Sequence, residues 1–183
     1  MNNRFNEVFS FFDPLNVEFS PSSYLIDTFP TCFLFHHHTK YKNNNLKDCA
    51  NQLNDIAIMT LVNYLHALII SDVGIKNNIA TSITYVHIYD KPIIKTVYYT
   101  VNVTSTEAKL FAIRCSINQA TNILGISKII IITDSIHVVR LIFDFFVYFS
   151  QIYSVAISKE LRKFFITNNN NFIEFWECPS HFN

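Results

Sequence analysis

The sequence predicts an α/β domain built on one mixed sheet, because a meander of β-type segments is followed by alternating helical and strand-like segments. Three runs rich in β-branched and aromatic residues cover His66–Ser71, Ile79–Tyr89 and Ile93–Val103, and turns at 76–78 and 90–92 separate them. From residue 104 onward, apolar residues recur at helical spacing and then in short strand-like runs. The expected order β-β-β-α-β-α-α-β gives a mixed five-stranded sheet with helices on its faces.

The second half of the chain carries the sharper boundary signals. Thr104 can act as the N-cap of a helix that extends to about Asn122, since Glu107 follows at the capping-box spacing, and Gly125 is typical of the region where a helix stops. Lys128–Thr133 contains four consecutive isoleucines, which predicts a central strand covered on both faces. Helices are expected over 135–149 and 154–166, and a last strand over Phe172–Trp176.

The first 60 residues are expected to form a connection or extension that precedes an α/β domain at 61–183. A polar, asparagine-rich linker lies near 40–47, and helical spacing of apolar residues follows from Leu46 to about Leu61. The triplet His36-His37-His38 is interpreted as a loop, because adjacent histidines of a regular element cannot all face one metal ion.

Composition restricts the compartment and the class of partner. Lys plus Arg equals Asp plus Glu, whereas a free-standing nucleic-acid binder is usually clearly basic, so a local patch or a partner would have to bring nucleic acid to this chain. The four cysteines form no C-x-x-C pair, which argues against a zinc site. No secretory signal and no stretch long enough to span a bilayer is evident, so we expect an intracellular protein of the cytoplasm or nucleus, with no membrane partner.

Three acidic residues occupy positions where predicted elements begin or end. Asp72 and Asp134 close strand-like runs, and Glu107 lies in the first turn of the helix between them. If the two strands are neighbours, the carboxylates can converge into an oxygen-rich site for a hard divalent cation. Taken singly, each residue also has a structural interpretation, as a turn former or as the capping-box partner of Thr104.

Residues from about 67 to 181 resemble the ribonuclease H domain at the C-terminal end of reverse transcriptases in retrotransposons, particularly fungal non-LTR elements. Four stretches carry the resemblance: Ile70–Lys76, Thr104–Ile113, Ile132–Ser135 and Phe175–His181. The first stretch departs from the family, which usually has Asp-Gly-Ser where this chain has Asp72-Val73-Gly74.

The resemblance implies an RNase H-like fold and cleavage of the RNA strand of RNA–DNA hybrids. It implies that Asp72, Glu107 and Asp134 bind two Mg²⁺ ions, with Mn²⁺ as an alternative, and that His181 lies near the active site. Two such ions would activate the attacking water and stabilise the leaving oxygen. A reverse transcriptase domain in a longer parent chain is the implied partner.

The family's fourth acid, an aspartate on a helix after the last strand, has no counterpart before Asn183, and neither Asp144 nor Glu177 matches its position. The domain is therefore expected to be C-terminally truncated and to lack its last helix. An alternative stays open: a catalytically inactive retroelement remnant with at most weak nucleic-acid binding. The basic cluster Lys159, Arg162 and Lys163 is either a solvated helix face or a contact for the hybrid backbone.

Overall fold

The computed structural model describes residues 25–36, 46–143 and 152–178. The helices of these ranges are α1 (Leu25–Thr28), α2 (Leu46–Leu61), α3 (Ser105–Thr121), α4 (Ile136–Phe143) and α5 (Ile152–Thr167). The strands are β1 (Phe33–His36), β2 (His66–Lys76), β3 (Ile79–Ile88), β4 (Ile94–Val101), β5 (Lys128–Thr133) and β6 (Phe172–Glu177).

The strands form a sheet in the order β1-β6-β5-β2-β3-β4. The meander β2-β3-β4 is antiparallel, whereas β5 joins β2 in parallel and β6 joins β5 in parallel. Parallel neighbours need a crossover on a face of the sheet, and α3 supplies it between β4 and β5, while α4 and α5 lie between β5 and β6. The predicted α/β class and element order from β2 to β6 are therefore confirmed.

The isoleucine run of β5 lies in the centre of the sheet, and helices cover both of its faces. Ile129 and Ile131 belong to the main core, which α3 and α5 complete on one face. Ile130 and Ile132 join Leu68 in a second, smaller core on the opposite face. All four isoleucines are buried, as expected for a strand with apolar residues on both sides.

Helix α2 closes the second core from outside. Its residues Leu53, Ile56 and Ala57, which share one face at helical spacing, pack against the cluster of Leu68, Ile130 and Ile132. Trp176 and Cys178 pack against the same cluster. The helix has the bounds expected from the sequence, and it packs on β2. The proposed boundary between an extension at 1–60 and a domain at 61–183 remains a prediction.

The β2–β3 hairpin turns through two asparagines. Asn77 and Asn78 have φ values of 52° and 61°, so both occupy the left-handed region that a type I′ turn requires. Asparagine tolerates this region better than other non-glycine residues, because its short side chain can bond to the local backbone. The turn fixes the register that pairs Lys76 with Ile79.

The structure differs from the sequence prediction in a few elements. The sheet has six strands in the described residues, because β1 adds a parallel strand beside β6. The helical turn α1 at Leu25–Thr28 and the strand β1 both lie in the segment that was expected only as a connection or extension. Strand β2 extends to Lys76 instead of ending at Ser71, since its pairing with β3 continues to the hairpin. The last part of the helix expected over 135–149, from residue 144 onward, lies outside the described residues.

Candidate acidic site

Three elements that carry the candidate acids meet at one edge of the sheet. β2 and β5 are parallel, and β4 runs in the same direction as β2 because both are antiparallel to β3. The carboxyl ends of β2, β4 and β5 therefore share an edge, and α3 begins there shortly after β4 ends. Glu107 and Asp134 lie at this edge, and Asp72 lies within β2 just beyond its last paired residue with β5, because the β2–β3 hairpin continues past it. We call this region of the sheet the acidic edge.

Asp72 and Asp134 follow the same aligned pair of strand residues. Ile70 and Ile132 are the last partners in the parallel register of β2 with β5, and each aspartate comes two residues later. The strands that bear these aspartates are neighbours, so the condition that the sequence argument set for the two residues is met. The Asp72 side chain is exposed, and its Oδ1 accepts a hydrogen bond of 2.7 Å from the backbone N–H of Val73.

Glu107 is engaged in the cap of α3. Its Oε2 accepts hydrogen bonds from the backbone N–H of Thr104 at 2.7 Å and from the Thr104 hydroxyl at 2.8 Å. The Thr104 Oγ1 in turn accepts from the Glu107 backbone N–H at 3.2 Å, which completes a capping box. The predicted cap is thus formed, and the carboxylate that could serve a metal ion performs that structural role here.

Asp134 is held by a lysine from the same helix. The Nζ of Lys109 donates to Asp134 Oδ1 at 2.7 Å, and both side chains are largely shielded, with 14% and 22% of their surface exposed. This contact joins the start of α3 to the end of β5. It is a charge-assisted hydrogen bond, the stronger class of polar contact in proteins.

The donor chemistry of the three acids fits a hard divalent cation, because Mg²⁺ and Mn²⁺ favour carboxylate oxygens. The positions of the three side chains, however, do not form a shared metal site. Within 25–36, 46–143 and 152–178, no group of three or more His, Cys, Asp or Glu side chains is placed so that it could hold a metal ion. Each acid has its own partner instead. Asp72 accepts from the neighbouring backbone, Glu107 accepts from Thr104 in the helix cap, and Asp134 accepts from Lys109.

The remaining predicted site residues have different outcomes. His181 lies outside the described residues, so its placement near the site remains a prediction. Trp176 packs against the second core, and its ring stacks on the His36 ring with centroids 3.6 Å apart. His36 is the last residue of β1, so it does not belong to a loop as the sequence predicted.

The sequence interpretation missed two polar clusters. One is the Lys109–Asp134 pair, for which the sequence signal is a lysine two residues after the helix-capping glutamate. The other surrounds Glu174 in β6, whose carboxylate accepts from His36 Nε2 at 2.6 Å and also pairs with Lys128. Burial tends to raise the pKa of Glu174, but the hydrogen bonds and charges of Lys128 and His36 outweigh it, and the pKa is lowered.

Two further features of the described residues concern the cysteines and the helices. Cys32, Cys115 and Cys178 are free thiols in the structure. No helix in the described ranges has both the length and the apolar character needed to cross a membrane.

No protein-family model and no curated protein matches the sequence. Solved structures that resemble the chain include RNase H1 from the archaeon Halobacterium salinarum, with 13% identity, coverage of 63% of this chain and 86% of that chain, and a TM-score of 0.46. LC11-RNase H1 in complex with an RNA/DNA hybrid has 12% identity, coverage of 62% and 86%, and a TM-score of 0.48. The prototype foamy virus protease–reverse transcriptase has 16% identity, coverage of 60% and 17%, and a TM-score of 0.45.

The order and direction of the strands, and not these superpositions, define the fold. The elements from β2 to β6 follow the expected order β-β-β-α-β-α-α-β in a mixed sheet with helices on its faces, and β1 is a further strand at the edge. The similarity concerns the fold alone and assigns no activity to this chain.

Proposed function

We propose that the chain is an RNase H-type nuclease domain that hydrolyses the RNA strand of RNA–DNA hybrids. The observation that supports the proposal is the acidic edge: parallel neighbouring strands and the first turn of α3 bring Asp72, Glu107 and Asp134 to one end of the sheet. In open α/β sheets, ligands bind at the carboxyl ends of the strands.

Mg²⁺ is the proposed cofactor, with Mn²⁺ as an alternative, and Asp72, Glu107 and Asp134 are the residues that would hold it. A divalent ion supplies positive charge that stabilises a phosphodiester during displacement. The chain contributes the rigid elements behind the carboxylates. Strand β5 is buried throughout most of its length, and the first buried residues of α3, Ala108 and Leu110, fix the start of that helix.

The proposed substrate and partner follow from the sequence resemblance. An RNA–DNA hybrid is the substrate of the resembled domain, and LC11-RNase H1 was solved with such a hybrid. We infer that the chain derives from a retroelement, of the fungal non-LTR type, whose reverse transcriptase domain belongs to a longer parent protein. His181 is proposed to lie near the scissile site, and the compartment is proposed to be the cytoplasm or nucleus.

A second candidate function is a catalytically inactive remnant that retains the fold and binds nucleic acid weakly. The side-chain arrangement favours it, because Lys109 neutralises Asp134 and Thr104 holds the carboxylate of Glu107. Zero net charge also provides little long-range attraction for a polyanion.

A cleavage assay separates the two candidates. The full chain is incubated with an end-labelled RNA–DNA hybrid in Mg²⁺ and separately in Mn²⁺, beside an Asp134→Asn variant. For the nuclease, we expect cleavage of the RNA strand and a loss of at least about 10- to 100-fold in Asp134→Asn, since disturbing even the groups behind metal ligands costs that much.

Asp90→Asn is the matched control. Asp90 is exposed in the β3–β4 turn, at the opposite edge of the sheet, and its φ of 56° suits asparagine as well as aspartate. Cleavage equal in the parent and Asp134→Asn would reveal a contaminating nuclease, and no cleavage in either metal would support the inactive remnant.

A further inference from the structure

Lys109 places a positive charge beside Asp134 at the acidic edge. It lies on α3, two residues after Glu107, and its Nζ contacts Asp134 Oδ1 at 2.7 Å. The start of α3 is held in position, because the residues on either side of Lys109, Ala108 and Leu110, are fully buried and the capping box fixes the first turn. The ammonium group is therefore tethered within reach of the carboxylate.

A tethered ammonium and a free divalent cation favour the same carboxylate oxygens. Asp134 is largely shielded from water, which strengthens its attraction to any positive charge beside it. The ammonium competes as an intramolecular ligand, and tethering gives such ligands effective concentrations in the millimolar range for short flexible links. A metal ion at Asp134 would also be repelled by the ammonium if Nζ stayed in place.

We propose that Lys109 is an internal competitor of the divalent cation at Asp134, so that metal binding requires Nζ to leave the carboxylate. This inference rests on the proposed function, and it concerns the regulation of that same site. In the resting protein, the Lys109 ammonium occupies Asp134 Oδ1 and so keeps the metal ion from that oxygen. Replacing Lys109 by an uncharged residue is therefore expected to tighten metal binding.

The test measures metal binding directly. Mn²⁺ is titrated into the full-length parent and into Lys109→Met, and the free ion is counted from its electron paramagnetic resonance signal. Methionine keeps an unbranched apolar side chain of similar length without the charge. We expect the dissociation constant for Mn²⁺ to fall at least about fivefold in Lys109→Met, the lower end of typical coupling between two sites.

Three further variants make the result specific. Lys109→Arg retains the charge and should bind Mn²⁺ no more tightly than the parent. Lys91→Met removes a lysine that is exposed in the β3–β4 turn, so it should leave the dissociation constant unchanged. Adding Asp134→Asn to Lys109→Met should abolish the gain. Circular dichroism of each variant checks the fold, and Lys109→Gln replaces Lys109→Met if the latter does not fold.

The outcomes distinguish this inference from the proposed function. If the parent and Lys109→Met bind Mn²⁺ equally and the parent cleaves hybrid, the competition is refuted while the nuclease stands. If neither protein binds Mn²⁺ and neither cleaves hybrid, both the competition and the nuclease are refuted. Tighter binding by Lys109→Met without cleavage supports the competition and places the loss of activity elsewhere.

Discussion

At the scale of single residues, charged side chains in this protein perform structural tasks, of which the sequence discloses only the helix cap that Glu107 provides. Glu107 caps α3, and Asp134 receives the ammonium of Lys109. Glu174 is buried in β6 but remains compensated, because Lys128 and His36 both contact its carboxylate. A buried charge is tolerated only when it is paired and hydrogen-bonded, so this cluster links charge to stability.

Glu174 should make stability depend on pH. Its folded-state pKa is lowered, so the stability it contributes is present above the ordinary pKa of about 4.5 and is lost as the pH falls through the folded-state value. In Glu174→Gln we expect lower stability at pH 7, by about 1–3 kcal/mol, and a smaller further loss below pH of about 4.5. Urea unfolding at a series of pH values measures both.

Leu53→Ala is the control for that pH series, because it removes packing without changing a titratable group. Its curve should be displaced from that of the parent by a similar amount at every pH. A Glu174→Gln curve parallel to that of the parent through the acid range would show that Glu174 is not responsible for the pH dependence.

At the scale of elements, local chemistry accounts for the boundaries that were predicted well. Helix α3 begins where Thr104 and Glu107 satisfy its first N–H groups, and Gly125 adopts a φ of 91° in the turn that follows the helix. Strand β5 has the predicted bounds because four isoleucines bury on both faces. The strand β1 was not predicted, since its four residues gain their strand character only by pairing with β6.

The cap of α3 gives a prediction at this scale. Thr104→Ala removes the acceptor for the Glu107 N–H and a donor to the Glu107 carboxylate, so the free energy of unfolding should fall by about 1 kcal/mol. Thermal or urea unfolding measures the loss. Ser105→Ala, at the next and exposed position, should cost clearly less. Equal losses in the two variants would contradict the importance of the capping box.

At the scale of the whole molecule, both faces of the sheet are covered at its centre. Helices α3 and α5 contribute to the main core on one face, and α2 covers the second core on the other. The helix α2 thus links a segment assigned by sequence to the N-terminal extension with the centre of the sheet. Hydrophobic burial, which is roughly proportional to the apolar area removed from water, favours this packing.

We expect α2 and the sheet to unfold as one cooperative unit. Leu53→Ala, in the packed face of α2, should lower the free energy of hydrogen exchange in both α2 and β5, by about 1–2 kcal/mol for this half-buried leucine. Ile58→Ala, on the same helix but 52% exposed, should change both much less. A loss confined to the amides of α2 would instead indicate that the helix opens independently of the sheet.

The sequence by itself determined the α/β class, the order from β2 to β6, the cap of α3 and the candidate acids, because these depend on local periodicity and local hydrogen bonds. Only the tertiary structure decided that β1 joins the sheet, that α2 covers its second face and that Asp72 and Asp134 follow one aligned pair in neighbouring strands. The partner of Asp134 was decided at the same level. The contact between Lys109 and Asp134 joins residues far apart in the chain, and no local pattern encodes it.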